Sequence, residues 1–106
     1  MHDELYALGK LDEAVQALVE GAGRVQERLG ESYRSLVAVQ PNELADDELR
    51  RMLVGIKDDL TFDEPAGSER RLEATLRRLT DEDASAIAAR ILALRNQLWE
   101  LLMGNG

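Results

Sequence analysis

The sequence predicts an all-α protein: a small helical bundle of about four helices built on one long, heptad-patterned N-terminal helix. In residues 8–36, nine positions follow one another at alternating steps of three and four, and eight of them are apolar. They are Leu8, Leu11, Val15, Leu18, Ala22, Val25, Leu29, Ser32 and Leu36. A period of about 3.5 residues places all nine on one side of a helix that packs against other helices. Residues 84–101 repeat this pattern, and no segment shows a convincing strand alternation.

Length and composition fit a single helical domain that spans residues 1–106. The chain is 44% hydrophobic and 32% charged, a balance typical of globular rather than disordered proteins. Only 4% of the residues are aromatic, so the core must consist mainly of Leu, Val, Ile and Ala. The sequence contains no cysteine, which excludes disulfides, thiolate zinc sites and thiol nucleophiles.

Helix 1 is predicted over about residues 3–39, ending before Pro41. Its glycines are unfavourable in a helix, and Gly21-Ala22-Gly23 offers an alternative break between two helices. Continuity is favoured because the heptad phase passes through Ala22 without a slip. A helix of this length would span about 55 Å and outrun the shorter helices that follow. We therefore expect a coiled-coil contact with a second copy, a homodimer, whereas a break near Gly21 would give a compact five-helix monomer.

Three shorter helices are predicted in the rest of the chain. Helix 2 covers about residues 46–60 and begins with three consecutive acids. Helix 3 covers about 69–79, with Ser68 as its N-cap. Helix 4 covers about 81–103, with Thr80 opening a capping box. A single helix bent at Thr80 is the alternative for the last two.

Motifs of enzymes and metal sites are missing from the sequence. His2 is the only histidine, and this excludes Ser-His-Asp and Cys-His arrangements and histidine-ligated zinc for a chain without cysteine. No Gly-rich phosphate loop follows a strand. The acids around residue 60 do not fit a calcium loop, because Glu64 and Arg70 stand where that loop needs glycine and glutamate. We expect a protein that is not an enzyme and has no catalytic residue, cofactor or metal.

The net charge of −8 is concentrated before residue 69. Residues 41–68 carry eight acids and three bases, whereas residues 69–106 carry six of each. Seven residues form the predicted acidic surface: Asp46, Asp47, Glu48, Asp58, Asp59, Asp63 and Glu64. Such a surface repels nucleic acid and anionic membranes and favours a basic partner, although a purely solubilising role explains it equally well.

A second apolar stripe on helix 4 is the predicted partner-binding surface. Leu92, Trp99 and Met103 lie off the heptad seam, and Phe62 in the acidic loop is a further candidate. Trp and Met are enriched at protein–protein interfaces. The alternative is that helix 4 is the central helix of the bundle and that its neighbours bury this stripe.

Two arginine pairs form a predicted basic surface on helix 3: Arg70, Arg71, Arg77 and Arg78. A nucleic-acid ligand would place them against phosphates. Glu69 and Glu73 on the same helix, the lack of interleaved aromatic residues and the negative net charge argue against that ligand.

These features favour a small cytoplasmic protein that acts through protein–protein interaction, as a regulator, adaptor or inhibitor subunit. The alternative is an acidic mimic of nucleic acid that inhibits a basic nucleic-acid-binding protein, such as a phage anti-defence protein. Direct nucleic-acid binding through the helix 3 arginines comes third. We expect no membrane association, because no apolar run approaches the roughly 20 residues that cross a bilayer and the acidic N-terminus lacks signal-peptide features.

Overall fold

The computed structural model describes residues 2–65, 67 and 70–104. Within them the chain forms five α-helices and one short 3₁₀ helix without any β-strand, which confirms the all-α helical bundle. The α-helices are α1 (Glu4–Glu20), α2 (Val25–Leu36), α3 (Asp47–Leu60), α4 (Arg71–Arg78) and α5 (Asp81–Met103), and the 3₁₀ helix is Pro41–Glu43.

The prediction of one continuous helix over residues 3–39 is wrong, because the chain turns back between α1 and α2. Gly21 ends α1 in an extended conformation, and Gly23 has a φ of 88°, in the left-handed region that favours glycine. Arg24 is extended again, and its N–H donates to the Glu27 carboxylate at 3.2 Å as α2 begins. The sequence motif that offered the alternative, Gly21-Ala22-Gly23, is therefore the hinge of an antiparallel helical hairpin.

Two side chains of α2 fasten this hairpin to α1. The buried Ser32 hydroxyl donates to the Ala14 carbonyl at 2.9 Å. The Arg28 guanidinium donates to the Leu18 carbonyl at 3.1 Å, which satisfies one of the carbonyls left without a partner at the end of α1. The polar exception in the heptad pattern, Ser32, is thus explained by a polar contact between the two helices.

The remaining helix bounds follow the local signals in the sequence closely. Asp46 caps α3 by accepting from the Leu49 N–H at 3.0 Å. Thr80 caps α5 by accepting from the Asp83 N–H at 3.0 Å, and its extended backbone separates α4 from α5, so the single bent helix is excluded. α4 is shorter than predicted, with Arg70 at its N-cap. The predicted N-cap Ser68 and its neighbour Glu69 lie outside the described residues.

One apolar core joins the helices, and within it α5 contacts α1, α2 and α3. Leucine and isoleucine dominate this core, as the scarcity of aromatic residues predicts. Its fully buried large side chains are Leu11, Leu29, Leu36, Val39, Leu44, Leu49, Leu53, Ile56, Leu60, Ile91, Leu94 and Leu98. Leu101, which continues the heptad pattern of α5, is instead exposed near the end of that helix.

A polar cluster connects the start of α2 to the junction of α4 and α5. The Gln26 amide donates to the Leu79 carbonyl at 3.0 Å and to the Asp81 carboxylate at 2.9 Å. The Arg24 guanidinium also reaches Asp81, at 2.9 Å. The hydrogen bond from the Gln26 amide is the largest cause, and Arg24 the next, of an Asp81 carboxyl pKa below its ordinary value. The hinge between α1 and α2 is therefore anchored at its α2 end.

Candidate protein-interaction surface

The helix 4 stripe lies at the surface of the bundle rather than inside it. Leu92, Trp99 and Met103 occur at positions i, i+7 and i+11 of α5, so they share one side of the helix. They keep 44%, 41% and 49% of their surface exposed, respectively. The buried core residues of α5 lie on a different side of the helix. No neighbour among the described residues covers the stripe fully.

An ion pair joins this side of α5 to α1. The Arg95 guanidinium donates to the Asp12 carboxylate at 2.6 Å, and Arg95 lies between Leu92 and Trp99 on the helix. The two helices are antiparallel, since Arg24, just beyond the end of α1, also pairs with Asp81 at the start of α5. The exposed stripe of α5 therefore faces the same side of the molecule as Asp12.

Two further exposed apolar residues flank Asp12 on α1. Leu5 and Val19 stand seven residues before and after it, two helical turns away in each direction, so all three share one side of α1. They are 67% and 76% exposed, respectively. We call the exposed apolar residues of these two helices, which the Asp12–Arg95 pair joins, the α1–α5 face: Leu5, Val19, Leu92, Trp99 and Met103.

Sequence reasoning missed the α1 half of this face. Leu5 and Val19 lie off the heptad seam. A large apolar residue away from the seam is a candidate for surface exposure, and this is the signal that could have found them. Their link to Trp99 depends on the packing of α1 against α5, which the sequence does not show.

Arg95 also contacts the aromatic ring of the α1–α5 face. Its guanidinium carbon lies 5.0 Å from the centroid of the Trp99 ring, within the range of a cation–π contact. The same guanidinium is neutralised by Asp12. The ring is thereby held in place before any partner arrives, and the one charged pair within the face contributes no net charge.

Phe62 lies on a different side of the molecule. It is 73% exposed in the loop after α3 and borders a groove of about 430 Å³ that also includes Ile87 and Arg90. Arg90 pairs with Asp59 of α3 at 2.6 Å, whereas Arg95 pairs with α1. Phe62 is therefore separate from the α1–α5 face, although both Phe62 and Trp99 are predicted partner-binding residues.

Most of the predicted acidic surface is engaged in local contacts. Asp46 caps α3, and Asp47 forms an ion pair with Arg50 in its first turn. Three other acids pair with arginines of the last third of the chain: Asp59 with Arg90, Asp63 with Arg78 and Glu64 with Arg71. Among the described contacts, Glu48 and Asp58 have no such partner. The acidic surface is thus much weaker in charge than its composition suggests.

Two of the four arginines of the predicted basic surface are neutralised by the same contacts. Arg78 donates to Asp63 at 2.6 Å and Arg71 donates to Glu64 at 3.0 Å. Arg77 is also engaged within the chain. The Arg70 backbone N–H donates to the Glu73 carboxylate at 3.3 Å at the start of α4. A phosphate backbone would have to compete with these carboxylates for Arg71 and Arg78.

A groove between α2 and α4 in the described part of the chain has a volume of about 830 Å³. Tyr33, Leu72 and Leu76 contribute its apolar floor, and burial raises the pKa of the Tyr33 hydroxyl. Charged side chains such as Arg34 and Glu73 form its rim.

Within residues 2–65, 67 and 70–104, no three His, Asp or Glu side chains converge as a metal-binding group. None of the helices in that part of the chain combines the length and the apolar character needed to cross a membrane. No protein-family model matches the chain, and no curated protein or solved structure shows significant similarity to it.

Proposed function

We propose that this chain is a non-catalytic regulator, adaptor or inhibitor that binds another protein through the α1–α5 face. The observation that carries this proposal is the exposure of five large apolar side chains on two adjacent helices, with the Trp99 ring in contact with Arg95. Exposed apolar surface of this kind marks interaction sites in globular proteins. We also propose a cytoplasmic location, which suits a chain without cysteine.

The composition of the face supports a partner recognised by apolar contact rather than by charge. Asp12 and Arg95 neutralise each other inside the face, so a partner meets tryptophan, leucine, valine and methionine side chains. Tryptophan is enriched among the residues that dominate binding energies, especially when it is central and surrounded by residues that exclude water. Trp99, whose ring is already ordered by Arg95, would lose little conformational entropy on binding.

The acidic mimic of nucleic acid receives less support as an alternative. Five of its seven predicted acids already cap a helix or pair with an arginine. A basic partner would have to displace the arginines that pair with these acids. This displacement reduces the binding free energy that each new contact contributes. Glu48 and Asp58 serve as its test positions.

Substitution of Trp99 tests the proposal directly. We expect Trp99→Ala to weaken binding of a captured partner by about 30-fold, because truncating a central tryptophan typically costs at least about 2 kcal/mol. The measurement is affinity capture from cells of the source organism, followed by titration of the purified partner. Val54→Ala is the matched control, since Val54 is 40% exposed on α3 and lies outside the face. Thermal melts of both variants establish that each one folds.

The charge-based alternative predicts a different pattern in the same experiment. A partner that binds Trp99→Ala as tightly as the wild type, but is lost from a Glu48→Lys, Asp58→Lys double variant, would overturn the proposal. Loss of binding on raising the salt concentration would point the same way, because salt screens exposed charges and leaves apolar contacts in place.

A further inference from the structure

We propose that two copies of this chain associate at concentrations well above micromolar by exchange of α1, with the hinge between α1 and α2 straightening into a continuous helix. The first observation is that the apolar seam of residues 8–36 keeps one phase through the hinge. Of its nine positions, only Ala22 is exposed in the hairpin, and the other eight are buried or half-buried. Straightening the hinge would return Ala22 to the same side of the helix as its eight neighbours.

The second observation is the symmetry of the hairpin contacts. Ser32 contacts Ala14, and Arg28 contacts Leu18. In both pairs the residue halfway between the partners in sequence is residue 23, within the hinge. Two straightened helices running antiparallel about that point can therefore bring the same residues together, with α1 of each copy on α2 of the other. In the straightened helix the Leu18 carbonyl accepts from the Ala22 N–H as well as from Arg28. A two-fold dimer of this kind reuses the contacts of the seam and adds only those around Ala22.

Contacts of α1 outside the hairpin are also compatible with exchange. α1 packs on α5, and its N-terminal end reaches the segment around the 3₁₀ helix: Asp3 N–H donates to the Glu43 carbonyl at 3.2 Å, and Ala45 N–H donates to the Glu4 carboxylate at 3.2 Å. An α1 from a second copy occupies the same place and restores each of these bonds. The straightened helix, from residue 4 to residue 36, would be about 50 Å long.

Local forces at the hinge decide between the hairpin and the exchanged dimer. Gly23 adopts a left-handed conformation, and a Cβ atom on Gly21 would collide with the Ala17 carbonyl and lie 2.9 Å from the Arg28 side chain. Glycine therefore stabilises the turn at both positions and is unfavourable in a helix. The wild type is expected to be a monomer at micromolar concentration, because the intramolecular hairpin needs no second chain.

Replacing both glycines should reverse this balance. Each Gly→Ala change raises the equilibrium constant for the helical conformation about fivefold. A dimer contains four such positions. Gly21→Ala with Gly23→Ala should therefore raise the dimerisation constant roughly 600-fold or more. Sedimentation equilibrium measures this constant. Gly9→Ala is the matched control, since Gly9 lies inside α1 with open space around it, and this variant should remain monomeric.

Cysteine crosslinking distinguishes exchange from any other dimer. The native chain has no cysteine, and the Asp12 and Arg95 side chains meet. With Asp12→Cys and Arg95→Cys added, a short bismaleimide that spans the length of the replaced ion pair should link the two cysteines. Exchange predicts that this link joins two chains in the hinge variant and lies within one chain in the wild-type hinge. A hinge variant that stays monomeric, or dimerises with the crosslink inside each chain, would overturn the proposal.

A second arm keeps the wild-type hinge and covers the case in which the double glycine variant does not fold. Chains carrying Asp12→Cys alone and Arg95→Cys alone are unfolded, mixed at millimolar concentration, refolded and treated with the same bismaleimide. Exchange predicts a crosslink between residues 12 and 95 of different chains by mass spectrometry, well above that of a control mixture with Glu48→Cys in place of Asp12→Cys. Equal yields in the two mixtures would refute exchange. Trp99→Ala should not affect either arm, so this inference and the proposed function can fail independently.

Discussion

Ser32 is the clearest case in which one residue reveals how the chain folds. It occupies an apolar seam, is fully buried, and donates its hydroxyl proton to the Ala14 carbonyl of the neighbouring helix. Ala14 is fully buried as well, so the two helices approach closely at this point. A small polar residue is therefore required where the heptad pattern alone would predict leucine.

Substitutions at Ser32 should show this requirement in unfolding experiments. Ser32→Ala removes one buried hydrogen bond and should lower the free energy of unfolding by about 1 kcal/mol. Ser32→Leu follows the heptad pattern but overfills the contact, so we expect a loss of about 1–3 kcal/mol. Urea denaturation measures both values.

Ser35 supplies the control for this prediction. Its hydroxyl makes only a long, exposed contact of 3.4 Å with Glu13 on the same pair of helices. Ser35→Ala should change stability by less than about 0.5 kcal/mol. A Ser32→Leu variant as stable as the wild type would show that the helices do not pack closely at Ala14.

At the scale of elements, α4 is the least self-sufficient helix of the bundle. It has only eight residues, too few for a stable isolated helix, so its position depends on contacts with the rest of the chain. The buried Thr75 supplies one such contact: its hydroxyl donates to the Arg71 carbonyl at 2.9 Å and accepts from the Asp63 N–H at 3.0 Å. One side chain thus ties the loop after α3 to α4.

Replacing Thr75 should loosen this loop. Thr75→Val keeps the shape of the side chain but leaves the partly buried Asp63 N–H without its acceptor, so we expect a loss of about 1–3 kcal/mol in the free energy of unfolding. Thr75→Ser keeps the hydroxyl and should retain most of the stability. Hydrogen exchange at the Asp63 amide gives a local measurement, and equal protection in all three proteins would contradict the role of the hydroxyl.

At the scale of the whole molecule, folding redistributes the charge that appears uneven along the sequence. The acidic segment 41–68 lies next to arginines of the last third, and three of its acids pair with Arg71, Arg78 and Arg90. Exposed pairs of this type each contribute between zero and about 1 kcal/mol to stability. Their main effect is on the surface, because they leave the α1–α5 face as the most distinctive patch that a partner could recognise.

The cluster at Asp81 links the pH to the stability of the whole fold. Gln26 and Arg24 lower the pKa of Asp81 below the ordinary value of 3.8, so the folded state favours the carboxylate. Its stabilising effect is fully present above that ordinary value and is lost as the pH falls through the lower pKa of the folded state. We expect the melting temperature of the wild type to fall more between pH 6 and pH 2 than that of Asp81→Asn.

Asp83→Asn is the control for this pH dependence. Asp83 lies in the same first turn of α5, and its carboxylate makes none of the described hydrogen bonds or ion pairs. This variant should keep the acid sensitivity of the wild type. If Asp81→Asn and the wild type lose the same stability on acidification, the contacts with Gln26 and Arg24 do not persist in solution.

The sequence by itself determined the all-α class, the bounds of α3 and α5, and the buried face of each of these helices. Those features depend on local signals: Asp46 and Thr80 as caps, and an apolar residue every three or four positions. Short-range geometry is enough for such features, since a cap or a helical face involves residues within one or two turns.

Only the tertiary structure decided that the N-terminal segment folds back at Gly21–Arg24 and that the helix carrying Leu5 and Val19 packs against the helix carrying Trp99. The heptad phase could not reveal the turn, because both arms of the hairpin direct the same seam into one core and a continuous helix would show the same pattern. The α1–α5 face could not be predicted either, since its two halves are more than seventy residues apart and meet only through packing and the Asp12–Arg95 ion pair.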